Sequence, residues 1–188
     1  MHPLIDLAKK AVENYIKEEK RITIPEDMPE EFLKEKAGVF VTIKKNGKLR
    51  ACLGTYLPTQ ESIAQEVIRN AISASTTDYR FGPIDEEELS SLFYSIYVLG
   101  KPQEITKKED LNPKKYGILV RTNPVTGDER DVVFDGKVPF KSGLLLPGLE
   151  GINTIEEQFL AACDKGGINP EKEETIVYRF EVKKYEQE

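Results

Sequence analysis

GVFVTIKKNGKLRACLGTYLP, residues 38–58, places two apolar runs on either side of Asn46-Gly47. That dipeptide tolerates positive φ at both centres of a type I′ turn, so the stretch predicts an antiparallel hairpin. Counting outward from the turn sets Lys44 opposite Leu49 and Val41 opposite Cys52. Strict alternation then puts Val39, Val41, Ile43, Arg50, Cys52, Gly54 and Tyr56 on one face, and Phe40, Thr42, Leu49, Ala51 and Leu53 on the other. Apolar residues on both faces predict an interior hairpin, with Arg50 as the charge that needs a partner or a cleft.

Helical periods flank this hairpin. Leu4, Leu7, Ala8, Ala11, Val12, Tyr15 and Ile16 form one stripe, predicting a helix from Pro3 to about Glu19 with proline suited to its first turn. Residues 22–36 carry Pro25 and Pro29 and read as a connection, with at most a short helix anchored by Phe32 and Leu33. Ile63, Ala64, Val67, Ile68, Ala71, Ile72 and Ser75 predict a second helix from Thr59 to about Thr76. Asp85 with Glu88, and Thr154 with Glu157, match capping boxes; the second opens a helix to about Lys165, closed by Gly166-Gly167. SLFYSIYVLG, YGILVRT, RDVVF and a final TIVYRFEV read as strands. Irregular interleaving of strands and helices gives an α+β fold: a mainly antiparallel sheet flanked by helices, with a smaller lobe over about 116–147 forming a cleft.

The 188 residues, 39% hydrophobic and 32% charged, fit a single domain over 1–188. A net charge of -6 and a pI near 5.1 offer no general attraction for nucleic acid or anionic lipid. No apolar run approaches the roughly 18 residues of a membrane span, and the N-terminus lacks a signal-peptide core, so a cytoplasmic protein is expected. The single histidine, His2, lies at an end expected to fray. It leaves no histidine relay or histidine-rich metal site, so no metal or cofactor is assigned. Cys52 and Cys163 form no C-x-x-C pair.

Three stretches together resemble the AMMECR domain family, and within it the bacterial group called AmmeMemoRadiSam system protein A. They are LRACLGTY at 49–56, SASTTDYRFGPIDEEELSSL at 73–92 and SGLLLPGLEGINTIEEQFLAACDKGGI at 142–168. Ala51 stands where the family pattern has glycine, and the connection between Val120 and Ser142 is longer than usual. The resemblance implies a two-lobed α+β protein with a cleft, encoded beside a Memo-like protein and a radical S-adenosylmethionine protein. It implies no reaction.

Two classes of function follow. In the first, Cys52 is a nucleophilic or redox thiol and Arg50, two residues away, stabilises its thiolate; Ser73, Asp78 and Arg80 gather a small anionic ligand, since arginine forks bind carboxylate and phosphate. Against it, cysteine is often a buried small hydrophobe, and Asp78 and Arg80 suit a structural turn network. In the second class the chain is a noncatalytic partner of the Memo-like and radical proteins, presenting Arg80, Phe81 and Leu144, Leu145, Leu146 and Pro147. Lack of a catalytic base, metal cluster or cofactor loop favours the second. Leu146 is expected to be largely buried, and Cys163 to face a helix core.

Overall fold

The hairpin turn forms as the sequence requires, with Asn46 at φ 52° and Gly47 at φ 76° in the computed structural model, which describes residues 1–122 and 141–187. Strands β1 (Val39–Lys45) and β2 (Lys48–Thr55) pair antiparallel, and Lys44 does face Leu49. The register then shifts between Ile43 and Lys44, so Ala51 faces Ile43, Cys52 faces Thr42 and Leu53 faces Val41. A β-bulge at Arg50 is the cause: one extra residue leaves the ladder and every residue beyond it changes face. Cys52 therefore shares a face with Thr42, not with Val41 as strict alternation predicts.

The chain divides into two compact units, Met1–Gly100 with Lys183–Glu188, and Lys101–Val182. In the first, strands β1 and β2 join β3 (Leu92–Leu99) and β8 (Val182–Glu186) in the order β2-β1-β3-β8. Helices α1 (Pro3–Glu18) and α3 (Ile63–Thr77) cover one face of this sheet, and the short α2 (Glu30–Lys34) inserts Phe32 while Leu33 stays exposed. The core is formed by Val39, Val41, Ile43, Ala51, Tyr94, Ile96 and Val98 from the sheet and the apolar stripes of both helices. Ala51 buries its methyl completely, so this strand has a use for the side chain where the family pattern has glycine.

Helix α1 matches its predicted span, and Glu19 closes it in the left-handed region at φ 56°. Helix α3 starts at Ile63 rather than Thr59, because the amides of Thr59 and Gln60 donate to the carboxylate of Glu66 instead of entering a helix. Ser62 is the N-cap, accepting from the Gln65 amide.

The second unit has its own antiparallel sheet, ordered β4-β7-β5-β6 from β4 (Gln103–Glu104), β5 (Gly117–Thr122), β6 (Ser142–Leu145) and β7 (Thr175–Phe180). Helix α4 (Ile155–Gly166), opened by the Thr154–Glu157 capping box and closed by left-handed Gly167, supplies Phe159, Ala162 and Cys163 to a core with Ile118, Val120 and Ile168. Gly143 lets α4 approach β6: a Cβ there would collide with the Ala162 carbonyl. TIVYRFEV is not one strand. It breaks at Glu181, β7 lying in the second sheet and β8 in the first. RDVVF falls outside the described residues. Among those described, no helix is long and apolar enough to cross a membrane.

Candidate functional site

The bulge that displaces Arg50 also aims it. Arg50 donates through Nε to Glu88 Oε2 at 3.0 Å and through Nη2 to Glu88 Oε1 at 2.8 Å, a bidentate fork. Its remaining hydrogen bonds go to the carbonyls of Gly82 (3.1 Å) and Pro83 (2.7 Å). Glu88 sits in a 3₁₀ turn over Glu86–Ser91, reaches back to the Asp85 amide at 3.1 Å and accepts from Lys45 at 2.9 Å. The Arg50 guanidinium, with Lys45 and the Asp85 amide, holds the Glu88 carboxyl down to about 2. Arg50 is thus engaged by Glu88 and the loop carbonyls, and is not the thiolate partner of Cys52 expected from its position two residues away.

Asp78 and Arg80 meet the same strand from outside. Strand β2 is a sheet edge, and at Cys52 both backbone groups point away from β1. The Cys52 amide donates to Asp78 Oδ2 at 2.9 Å, and Arg80 Nη2 donates to the Cys52 carbonyl at 2.8 Å. The two side chains are themselves forked together, Arg80 Nε to Asp78 Oδ1 at 2.9 Å and Nη2 to Oδ2 at 2.8 Å. An acid–base pair thus stands in for a neighbouring strand and satisfies one residue of an open edge. Asp78 is 1% exposed, and Arg80 together with the Cys52 amide holds its carboxyl below the usual range. Ser73 is not brought in: its carbonyl accepts from Thr77 within α3 and its hydroxyl makes no hydrogen bond among the described residues.

The loop so fixed displays aromatic side chains. Tyr79 is 92% exposed and Phe81 40%, and the Arg80 guanidinium lies 5.3 Å from the Phe81 ring centroid. Amides of Phe81 and Gly82 donate to the Asp78 carbonyl at 3.1 and 3.0 Å, completing a tight turn.

Cys52 presents its thiol on the sheet face opposite the helices. Its sulfur shares a 3.2 Å hydrogen bond with Thr42 Oγ1, the close approach expected of a cross-strand pair that exchanges no backbone bonds. Thr42 pairs in turn with Ser95 on β3, whose hydroxyl donates to Glu186 Oε1 at 3.1 Å, and Lys184 donates to Glu186 Oε2 at 2.9 Å. A polar row therefore crosses the sheet from Cys52 to β8. Cys52 is half-buried; Cys163 is 1% exposed in the second unit's core, where burial pushes its thiol up. Among the described residues, no three His, Cys, Asp or Glu side chains stand close enough to hold a metal ion.

Leu144 pairs with Leu119 and is buried, on the sheet face opposite the core that α4 packs against, so it is not an exposed surface residue. Leu145 packs on that core; Leu146 and Pro147 are half-buried, Leu146 being more open than expected.

Two clusters escape sequence reading. Glu66, fully buried, accepts from the hydroxyls of Thr55 (2.7 Å) and Thr59 (2.9 Å) and from the amides of Thr59 (2.7 Å) and Gln60 (2.8 Å), while Asn70 donates to the Val39 carbonyl at 3.0 Å. The available signal was two polar residues four apart inside an apolar stripe. His2 is no frayed tail residue: its Nδ1 accepts from the Leu4 amide at 3.3 Å and its ring stacks on Tyr185 at 4.0 Å. Burial lowers its pKa.

A protein-family model described as AMMECR1 matches residues 5–185. A protein of Thermotoga maritima is 40% identical over 98% of this chain and 97% of its own length. One of Clostridium acetobutylicum is also 40% identical, over 93% of this chain but only 34% of its own length. The crystal structure of an uncharacterized protein from Pyrococcus horikoshii superposes with a TM-score of 0.83 at 31% identity, over 98% of this chain and 90% of that one.

Proposed function

The chain belongs to the AMMECR1 family, and from that premise we propose that it acts as a noncatalytic partner-binding component, a cytoplasmic AmmeMemoRadiSam system protein A working with a Memo-like protein and a radical S-adenosylmethionine protein. The observation that carries this reading is the disposition of the motif residues. Arg50 binds Glu88 and the Gly82 and Pro83 carbonyls, Asp78 and Arg80 bind each other and the Cys52 backbone, and the result is a pinned loop carrying Tyr79 and Phe81 outward. Exposed aromatic rings on a rigid frame lose little conformational freedom on binding, which is why aromatic anchors dominate interface energetics. The Clostridium relative adds support, because there the matching stretch is tied covalently to further sequence. Linkage of that kind raises the effective concentration of one module for another.

The test is a calorimetric titration of the chain into each partner, with and without S-adenosylmethionine. Saturable heat with either protein, and no small-molecule turnover by the chain alone, is the expected result. Absence of heat at high micromolar concentration, together with turnover by the isolated chain, would overturn the reading.

A second reading keeps Cys52 as a nucleophilic or redox thiol acting on a small anionic substrate. What favours it is a thiol that is half-buried, not sealed, at the head of a polar row. Turnover abolished by Cys52→Ser would establish it, and turnover indifferent to that substitution would end it.

A further inference from the structure

Away from the sheet face that carries Cys52, helix α3 and the connection after α1 line an open surface cavity of about 400 Å³, within the size range of small-molecule sites. Its lining combines two arginines with an apolar surface. Arg21 is exposed and makes no hydrogen bond or ion pair among the described residues. Arg69 is held through a single nitrogen: Nη1 donates to Thr59 Oγ1 at 2.9 Å and lies 3.7 Å from Glu66 Oε1. Its Nε and Nη2 have no protein acceptor among the described residues. Arg69 is therefore oriented by a buried network yet keeps most of its fork available.

One acid shares it. Glu66, fully buried, accepts from two hydroxyls and two amides and pairs with Arg69 through Nη1 alone, so this contact leaves Nε and Nη2 of the guanidinium available. Gln65 gives its Oε1 to the Glu61 amide, leaving its amide nitrogen as a further donor facing the cavity. Ile22, Ile24 and Ile68 supply the apolar part of the wall. Two guanidinium groups and an amide donor beside three isoleucines are complementary to a molecule with an anionic head and a hydrocarbon body.

We infer that this cavity is a binding site for a small organic anion, a carboxylate or phosphate group carried on a short apolar body, gripped by Arg21 and Arg69. The site is independent of the Tyr79 and Phe81 display and of Cys52.

The experiment is an NMR titration of the whole chain with phenyl phosphate, benzoate, inorganic phosphate and benzyl alcohol. Saturable shifts of amides at 21–24 and 60–69 are expected with phenyl phosphate or benzoate. The stronger of the two identifies the head group. Inorganic phosphate shifts the same amides more weakly, and neutral benzyl alcohol leaves them in place. Arg21→Gln removes a partnerless surface side chain, so it should leave the fold intact and weaken binding about tenfold or more. The inference is overturned if neither organic anion gives saturable shifts there in the millimolar range, if benzyl alcohol matches them, or if Arg21→Gln binds as well as the parent chain.

Discussion

Arg50 and Glu88 show how one extra residue in a strand converts a candidate catalytic arginine into a structural clamp. Their side chains are only 15% and 13% exposed, so separating them leaves a charge poorly solvated. Arg50→Gln should lower unfolding free energy by about 2 to 3 kcal/mol in urea titrations. The pair also sets a pH signature. Glu88 has a folded pKa near 2 against an ordinary 4.5, so the folded state binds fewer protons between those values. Its stabilisation is complete above about pH 4.5 and is lost as pH falls towards 2, and Arg50→Gln should flatten that slope in acid denaturation. The two thiols separate by exposure alone: Cys52 should be alkylated by iodoacetamide in the folded protein well before Cys163. Equal protection of both until denaturation would remove Cys52 from any chemical role.

Strand β2 illustrates what can and cannot be read from sequence at the level of elements. Asn46-Gly47 declared its turn because only left-handed backbone closes it, and Thr154 with Glu157 declared a helix start because that spacing satisfies two amides reciprocally. The bulge at Arg50 left no such trace, since KLRAC alternates equally well with or without a slipped register. Nor could period-two alternation show that TIVYRFEV serves two sheets. The Asp78–Arg80 pair was legible as a turn network, whereas its role as a substitute strand depends on an edge visible only in three dimensions. Hydrogen exchange tests that role. Asp78→Asn weakens the acceptor of the Cys52 amide and should speed its exchange about tenfold or more, leaving interior β1 amides slow, with a stability loss of about 2 to 4 kcal/mol. Unchanged protection at Cys52 would mean that the edge is satisfied otherwise.

At the scale of the whole molecule, the family was legible because three motifs spread over 49–168 carry it, and the match does extend over residues 5–185. The ends were not legible, because packing of His2 on Tyr185 joins residues at opposite extremes of the chain. Burial holds the folded-state pKa of His2 below 6.5, and protonation also removes the acceptor that caps α1. Neutral His2 therefore stabilises in full above about pH 6.5, and the contribution fades as pH falls through its lowered folded value. Melting curves of His2→Asn, which keeps a capping side chain without titrating, should lose that pH dependence. The central claim is that the hallmark residues frame an aromatic docking loop. It is tested most directly by comparing the affinity of the parent chain, a Tyr79→Ala/Phe81→Ala double variant and Cys52→Ser for the Memo-like and radical proteins. The account predicts at least about a tenfold loss for the double variant and none for Cys52→Ser; undiminished binding by the double variant would contradict it.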